Sequence, residues 1–487
     1  MTWRKPPIAK DKHSLSETDE DAWPAMQSFG PLAAPLANPV YRRLFLAQVS
    51  ALVGTGVMTV ALALLAYELA GEAAGAVLGI ALTLRIVAFV LISPVVGAYA
   101  HLLPRRQLLV GLDLVRAATV LLLPFVDAVW QIYVLVFLVN ACSAGFTPLF
   151  QATIPDVLPD EAEYTRALSL SRLAYDLEQL LSPSLAGLLL LVLSFDALFP
   201  LNGVAFLISA ALIRSVRLPR PAAAERPEGV FGTVTYGMRL YLATPRLRGL
   251  LALSMALAAA GAMVIVNTVV YVRDYLGAGE TAVALALAAS GAGSMLTALL
   301  LPRLLDRFPE RPFMLAGGVI MALAMGLGIA RPGFLALLPV WFLIGAGSSL
   351  IQTPAGRLLR RSSHAEDRPA IFAAQFALSH VAWLVTYPVA GLAGGALGMG
   401  WTFVLLCVMV VAATIAAARL WPREELEILE HEHAPIEHVH LHMHDEHHRH
   451  DHEGWEGPEP HRHPHRHVPQ RHRHRYVIDM HHQHWPA

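Results

Sequence analysis

The residues best suited to chemistry are histidines, and they are concentrated near the end of the chain. Nineteen of the 23 histidines lie between positions 431 and 487, in alternating clusters interspersed with acidic residues. Neutral imidazole is the commonest nitrogen ligand of divalent transition metals, and histidines two positions apart in a flexible segment can converge on one ion. We therefore expect metal binding by His431, His433, His438, His440, His442, His444, His447, His448, His450, His452, His461, His463, His465, His467, His472, His474, His481, His482 and His484.

Three other interpretations of this tail compete with chelation: an affinity tag, an incidental low-complexity segment, or an acid sensor that responds near the pKa of histidine. The varied residues between the histidines argue against a tag. Histidine and carboxylate with almost no cysteine favour Ni²⁺, Co²⁺ or Zn²⁺ over Cu⁺, although ligand type alone does not choose among the three. Cys142 and Cys407 stand far apart inside apolar runs, where we expect buried small side chains. No resident cofactor is expected, because the metal is transported or held by the tail.

A second group of chemically capable residues lies inside an apolar run that starts near position 165. Asp176 is about eleven residues into that run, hence roughly 16 Å deep as a helix, near the middle of a membrane. Ionisable residues at that depth are costly and are usually functional. Helical spacing puts a polar stripe on one face: Ser169, Arg172, Asp176, Gln179 and Pro183. The candidate transport-path residues are Asp176, Glu178, Arg172, Arg85, His380 and Tyr175.

Structural alternatives stand beside these assignments. Arg172 and Asp176 are four residues apart and would also form a helix-stabilising ion pair. His380 is as well explained as a packing histidine as a ligand. Asp113 and Arg116, near the start of the third apolar run, are expected to form a structural or gating salt bridge.

The elements that must position these residues are membrane-spanning helices. Of the 487 residues, 55% are hydrophobic and 15% are charged, and the mean hydropathy is +0.50, which is too apolar for a soluble protein of this length. Runs of about 20 apolar residues suffice to cross the bilayer as helices. Twelve such spans are predicted at 44–69, 74–100, 107–126, 129–155, 165–194, 196–216, 247–276, 281–305, 313–330, 334–356, 369–394 and 400–420. The fold class is an all-α membrane protein.

Charge in the loops predicts the orientation. Arginines are concentrated in alternate loops, on the side of residue 43, and the opposite loops carry mainly acidic residues. The positive-inside rule therefore puts both termini in the cytoplasm, with the lipid bilayer of a bacterial inner membrane as the surroundings. Residues 1–43 contain no secretory signal and are expected to be a cytoplasmic, largely disordered segment.

The sequence also contains an internal repeat. An offset of 205 residues aligns His101 with Asp306 and Pro104 with Pro309, and the same offset aligns Pro183 with Pro388. Duplicated halves predict a pseudo-two-fold axis along the membrane normal and a substrate path between the halves. The gating residues expected on this basis are Asp113, Arg116, His101, Arg105, Arg106, Asp306, Arg307 and Arg311. The predicted division is an N-terminal segment 1–43, a first half 44–216, a linker 217–246, a second half 247–421 and a histidine-rich tail 422–487.

The loop elements at 97–106 and 302–311 resemble degenerate copies of the conserved cytoplasmic-loop motif of the major facilitator superfamily. Its usual acidic residue is present as Asp306 but replaced by His101. Residues 112–117, 150–160 and 164–183, followed by the histidine tail, resemble the nickel-resistance exporters of that superfamily. The resemblance covers 38–420 and implies efflux of nickel, and of cobalt in some relatives, driven by proton exchange.

The resulting prediction is a proton-coupled exporter of divalent transition metals that confers metal tolerance, with metal cations and protons as partners. One alternative is an exporter of an organic compound or siderophore with an incidental or metal-sensing tail. Another is a membrane-anchored metal sensor or storage protein. The sequence contains no Gly-rich phosphate loop and no nucleophile constellation, so we expect neither an enzyme nor a nucleic-acid partner.

Overall fold

The structure is a computed structural model that describes residues 31–219, 229–423, 428–432, 437–442, 461–466, 471–475 and 477–478. The N-terminal segment predicted to be disordered falls mostly outside these ranges. Ten of the tail histidines also lie outside the described residues: His433, His444, His447, His448, His450, His452, His467, His481, His482 and His484.

Twelve long helices form the membrane body within the described ranges. The first half contains α1 (Pro39–Ala70), α2 (Ala74–Tyr99), α3 (Arg105–Val120), α4 (Val129–Val157), α5 (Glu161–Leu190) and α6 (Leu198–Arg214). The second half contains α8 (Pro245–Val270), α9 (Glu280–Leu305), α10 (Glu310–Ile329), α11 (Phe334–Arg361), α12 (Arg368–Leu397) and α13 (Met399–Leu420). The predicted twelve-span, all-α fold is confirmed.

Eleven of these helices are long and apolar enough to cross a membrane, counted over the described residues. The twelfth, α5, fails on composition because charged side chains interrupt its apolar run. An even number of spans returns the chain to its starting side. We call the side that carries residue 39 and residue 420 the terminal face.

Each half has its own apolar core. One large cluster occupies the second half, and two smaller clusters occupy the first. Close backbone contact between α9 and α11 depends on glycine: a Cβ on Gly293 would collide with the Phe342 carbonyl, and one on Gly345 with the Ser290 carbonyl. Small residues at such crossings let membrane helices pack closely, since lipid supplies no hydrophobic drive between them.

The 205-residue offset holds in three dimensions. Ser209 of α6 donates to the Asp113 Oδ2 on α3 at 2.7 Å. The offset carries these two residues to Thr414 of α13 and Gly318 of α10, where a Cβ on the glycine would meet the threonine side chain. The same helix pair therefore touches at the same place in both halves, although only the first half places a carboxylate there.

The predicted linker contains a helix of its own, α7 (Val230–Ala243). It packs against α2 of the first half and α12 of the second half. Gly237 permits the approach, because a Cβ there would collide with the Ala370 backbone. The Tyr241 hydroxyl donates to Gln375 Oε1, and burial raises the pKa of Tyr241 well above its ordinary value. The linker thus bridges the two halves.

Four short strands lie beyond the membrane body, in the histidine tail: β1 (Ile428–Glu432), β2 (Glu437–His442), β3 (His461–Arg466) and β4 (Arg471–Arg475). β1 pairs with β4, and β2 pairs with β3, both antiparallel. Helix therefore accounts for the membrane body, and the tail adds these two ladders.

Candidate functional site

A polar network joins the two halves near the middle of the membrane. On α5, Arg172 Nη2 forms an ion pair with Asp176 Oδ1 at 2.5 Å. Ser294 of α9 donates to the other carboxylate oxygen at 2.6 Å. Arg172 also donates to the second half, through Nε to Ser294 Oγ at 3.0 Å and through Nη1 to Gln352 Oε1 at 2.9 Å. We call Arg172, Asp176, Ser294 and Gln352 the polar seam.

The chemistry of the polar seam depends on one carboxylate. Asp176 is 3% exposed, and both of its oxygens are engaged. A buried carboxylate beside an arginine is stable as an ion pair, whereas its protonation or neutralisation leaves the arginine charge uncompensated in a medium of low dielectric constant. A proton or a competing cation at Asp176 would therefore weaken the contact between the halves.

A second contact at the same depth is aromatic. Phe89 of α2 packs edge-to-face against Phe376 and His380 of α12, with ring centroids 5.1 and 4.8 Å apart. The His380 Nδ1 lies 2.7 Å from the Phe376 carbonyl oxygen, which can only accept, so Nδ1 carries a proton. We call Phe89, Phe376 and His380 the aromatic seam.

Other predicted transport-path residues surround the seams. Arg85 is exposed although it lies within α2, and its guanidinium is 5.4 Å from the centre of the Phe89 ring. The charge of Arg85 acts on Glu178, whose carboxylate accepts from Ser182 at 3.4 Å. Tyr175 lies beside Gln48 of α1. This group combines one cation, one carboxylate and several aromatic rings.

The structure does not gather the predicted metal ligands of the membrane body into one set. Asp176 belongs to the polar seam and His380 to the aromatic seam, whereas Glu178 accepts a hydrogen bond from Ser182. Over the described residues, no group of three or more His, Cys, Asp or Glu side chains converges closely enough for a metal ion. A bare cation would need a rearrangement of these side chains.

At the terminal face, a charged cluster ties α3 and α4 to α12 of the other half. Asp156 of α4 forms ion pairs with Arg105 of α3 and with Arg368, the first residue of α12. The side chains are 13%, 2% and 16% exposed, respectively. We call Arg105, Asp156 and Arg368 the N latch. One carboxylate there serves two arginines, one from each half.

A matching cluster ties α10 and α11 to α5. Glu310 of α10 lies 2.7 Å from both Arg357 Nε and Arg361 Nη1 of α11. Glu161, the first residue of α5, reaches Arg357 Nε at 2.6 Å from the other half. We call Glu161, Glu310, Arg357 and Arg361 the C latch.

The two latches are related by the internal repeat, with the signs exchanged. The 205-residue offset carries Arg105 to Glu310 and Asp156 to Arg361. In the first half the α3 residue is the cation and the α4 residue the anion, and in the second half the order is reversed. In the N latch, Asp156 itself meets Arg368 at the start of α12; in the C latch, a further arginine, Arg357, connects Glu310 to Glu161 at the start of α5.

The remaining predicted gating residues lie in several places. Asp113 and Arg116 form a fully buried ion pair inside the first half, with the Arg116 guanidinium 4.1 and 4.4 Å from the ring centres of Phe146 and Phe206. The partners of this pair all belong to the first half. Asp306 does contact the other half, because its Oδ2 is 3.7 Å from Arg166 Nη2.

The other gating-loop residues stay within their own halves or face outward. Arg311 donates to the carbonyls of Ala418 and Trp421 at the end of α13, at 3.1 Å each. Arg106 and Arg307 are exposed, and His101 is half-buried.

Sequence reasoning missed most of both latches and Ser294. Asp156, Glu161, Glu310, Arg357, Arg361 and Arg368 were not among the predicted gating residues. The signal that identifies them is the repeat itself: the offset that aligns the loops also aligns a buried Arg–Asp pair with a buried Glu–Arg pair. Ser294 offers only a small polar side chain in an apolar span, which is a weak signal.

Comparisons with known proteins agree with this architecture. A family model described as "Transmembrane secretion effector" matches residues 30–358. The uncharacterized MFS-type transporter YfiS of Bacillus subtilis (strain 168) is 24% identical over 336 residues, which are 66% of this chain and 78% of YfiS. Macrolide efflux protein A of Streptococcus pyogenes is 24% identical over 137 residues, 27% of this chain and 34% of that protein. The chain therefore matches about a third of the macrolide efflux protein.

Solved structures share the fold at low sequence identity. A bacterial homologue of the iron transporter ferroportin, in an outward-facing state, superposes with a TM-score of 0.67 at 14% identity over 78% of this chain and 99% of that one. The proton:xylose symporter XylE superposes with a TM-score of 0.63 at 15% identity over 79% of this chain and 95% of its own. These likenesses concern the fold alone.

Proposed function

The chain belongs to the transmembrane secretion effector family of major facilitator transporters, and on that basis we propose that it is a proton-coupled exporter of divalent transition-metal cations, nickel first and cobalt second. One observation carries the proposal: the buried Asp176 carboxylate is part of the contact between the halves, so the protonation state of one side chain is linked to their separation. Such a linkage is what proton-coupled rocking of two halves requires.

The cycle follows from competition for this carboxylate. A metal cation that reaches Asp176 takes the place of the Arg172 charge, and the network to Ser294 and Gln352 is released. Glu178 would supply a second carboxylate, and neutral His380 a nitrogen ligand after side-chain movement. Protonation of the carboxylates from the outer side expels the cation, because a neutral carboxyl group is a poor ligand for it.

Orientation follows from the arginine-rich loops. We assign the terminal face to the cytoplasm of a bacterial inner membrane on the positive-inside rule. The ion pairs that join the halves in the described part of the chain lie at that face, in the N latch, the C latch and the Arg166–Asp306 pair. On this assignment the structure is closed toward the cytoplasm, the state from which an exporter releases cargo and takes up protons.

The histidine tail supports a metal as the cargo. Nineteen histidines on the cytoplasmic side would collect divalent cations near the transport path and raise their local concentration. The tail increases supply to the membrane body and does not itself move the ion.

A second candidate cargo is an organic compound. It is favoured by the exposed Arg85, the aromatic seam next to it and the dispersed carboxylates, which suit an amphipathic molecule better than a bare cation. The relative named as a macrolide efflux protein matches only part of this chain, so it gives limited support.

Transport into inverted membrane vesicles decides between these cargoes. We would impose a proton gradient and measure accumulation of ⁶³Ni²⁺, ⁵⁷Co²⁺ and ⁶⁵Zn²⁺, and in parallel of a macrolide and a fluorescent amphiphile. The expected result is gradient-dependent nickel accumulation that collapses with an uncoupler. Truncation of residues 422–487 should reduce accumulation chiefly at low metal concentration. Accumulation of an organic compound with no metal uptake would reject the metal cargo.

A further inference from the structure

The two arginines near the middle of the membrane body have different surroundings. Arg172 of α5 forms an ion pair with Asp176 and donates to Ser294 and Gln352. Arg85 of α2 is exposed, and it forms neither a hydrogen bond nor an ion pair with any residue that the structure describes. A carboxylate in direct contact therefore neutralises the first arginine, whereas the second has no such partner.

The neighbours of Arg85 come from both halves. Its guanidinium lies 5.4 Å from the centre of the Phe89 ring, which packs edge-to-face against His380 of α12. The Arg85 charge also acts on Tyr387 of α12 and on Glu178 of α5. Charged side chains in the middle of a membrane face the interior of the bundle or a water-filled path, and these neighbours place Arg85 on the path between the halves.

Arg85 and Glu178 lie at nearly the same depth. α2 ends at Tyr99 and α5 begins at Glu161, both on the terminal face. At about 1.5 Å per residue, Arg85 is roughly 21 Å and Glu178 roughly 26 Å from these ends. Their opposite charges interact, yet neither forms an ion pair with a described residue. A cation and an anion thus stand apart at one level of the path.

Close packing of α1 on α5 fixes the Glu178 carboxylate on its own side of this gap. Ser182 donates to Glu178 at 3.4 Å, and a Cβ on Gly56 of α1 would collide with the carboxylate. The 205-residue offset carries Gly56 to Gly261 and Glu178 to Trp383, where a Cβ on the glycine would collide with the indole ring. The repeat therefore keeps this helix contact and puts a carboxylate in the first half where the second half has an aromatic ring.

We propose that Arg85 binds a carboxylate group of the cargo, and that the metal crosses the membrane as a complex with a small polycarboxylate ligand. A guanidinium matches a carboxylate in geometry and charge. Opposite charges that stand apart select a cargo with both signs, such as a metal ion bearing carboxylate ligands. The ligand also supplies the donor atoms that the described residues do not gather for a bare cation. The inference rests on the proposed function and names the chemical form of its cargo.

Two chelators of the same shape test this class of cargo. Nitrilotriacetate and tris(2-aminoethyl)amine both hold Ni²⁺ through a central nitrogen and three arms, which end in carboxylates in the first and in neutral amines in the second. We would supply each complex to inverted vesicles, with ⁶³Ni²⁺ and a ¹⁴C-labelled chelator, and measure the accumulation that an uncoupler abolishes. This measurement subtracts metal bound by the histidine tail, because such binding needs no proton gradient.

We expect both labels of the nitrilotriacetate complex to accumulate together, at least about tenfold faster than those of the amine complex. Arg85→Gln removes the charge and should slow uptake of the nitrilotriacetate complex by about ten- to a hundredfold, the effect of losing a hydrogen bond between charged groups. Arg85→Lys retains the charge and should lose less. Arg273→Gln, at an exposed arginine just after α8, is the matched control and should transport like the parent.

Equal uptake of the two complexes, or uptake that Arg85→Gln leaves unchanged, would overturn this inference while the proposed function stands. If no metal accumulates in any form, the proposed function fails, and binding then decides the inference. Equilibrium dialysis of the full-length protein in detergent, against Ni²⁺ with ¹⁴C-nitrilotriacetate, should show about one equivalent less bound to Arg85→Gln than to the parent, since the histidine tail contributes equally to both. Equal binding would overturn the carboxylate site.

Discussion

The polar seam and the aromatic seam join the same two halves at the same depth, but with different chemistry. The internal repeat relates them: the 205-residue offset carries Phe89 to Ser294 and Asp176 to Val381. Between α5 and α9, the Arg172–Asp176 ion pair of α5 hydrogen-bonds to Ser294, whereas between α2 and α12 aromatic rings meet edge-to-face. The two helix contacts are related by the repeat, but the α5–α9 contact depends on charge and the α2–α12 contact is made by aromatic rings.

The latches extend this comparison to the terminal face. The C latch lies on the α5 side and the N latch on the α12 side, with their charges exchanged. Exchange of sign preserves attraction within each half, because either order of charges is equally favourable. The opposite half supplies a cation, Arg368, to the N latch and an anion, Glu161, to the C latch through Arg357.

Asp176→Asn tests the charge dependence of the polar seam most directly and should have the largest effect. It removes the only acidic group of the polar seam and leaves the partly buried Arg172 without its counter-ion, so we expect gradient-driven export to fall to the level of empty vesicles. The readouts are metal-dependent proton flux and nickel tolerance of cells. Asp127→Asn, at an exposed carboxylate in the α3–α4 loop, is the matched control and should transport normally. If Asp176→Asn retains flux and tolerance, the proposed central site is wrong.

Asp156→Asn should have the next largest effect. It leaves two arginines of the N latch unpaired, and loss of one partner from a buried pair costs about 3–5 kcal/mol. The terminal face should therefore open more often, seen as faster hydrogen–deuterium exchange at the start of α12. Glu161→Gln in the C latch should do less, because Glu161 is 41% exposed and Glu310 still neutralises the arginines.

A charge exchange tests the sign relation directly. Arg105→Glu with Asp156→Arg restores the pair inside the first half but sets an arginine against Arg368, so exchange at α12 should stay fast. Adding Arg368→Glu should restore slow exchange. Failure of the triple variant to recover would show that the latch depends on more than the sign of its charges.

Ser294→Ala should have a smaller effect than Asp176→Asn or Asp156→Asn. It removes one hydrogen bond to Asp176 and one from Arg172, each worth about 1.5–3 kcal/mol because the partner is charged, while the ion pair survives. We expect export to slow by about ten- to a hundredfold and the proton coupling to remain. Ser294→Thr keeps the hydroxyl and should behave like the parent. If Ser294→Ala lost proton coupling, Ser294 would have a direct role in the coupling beyond its two hydrogen bonds.

The smallest effect is expected on the aromatic seam. Phe376→Leu keeps apolar volume and removes two ring contacts worth about 0.5–1.5 kcal/mol each. Export should change by about twofold and its dependence on the proton gradient should be unchanged. A clear change in proton dependence would mean that His380, whose ring packs on Phe376, takes part in the coupling and that the two seams are alike in function.

Much of the fold was accessible from the sequence. Each of the twelve predicted spans agrees with a helix to within about five residues at most ends, because a bilayer demands a continuous apolar run of defined length. The repeat offset and the central depth of Asp176 follow from position along the chain. α7 was missed because its 14 residues lie in a segment whose prolines and arginines read as a linker.

The partners of these residues were decided only by the tertiary structure. Depth in the membrane follows from counting along one helix, but the contact of Asp176 with Ser294 joins residues 118 positions apart, and the Asp156–Arg368 pair spans 212. Such contacts depend on which helix faces which, and close approach of backbones at small residues determines that arrangement. Sequence by itself therefore determined the helices, their repeat and the histidine tail. Packing determined that one seam carries charge, the other carries rings, and the two latches exchange signs.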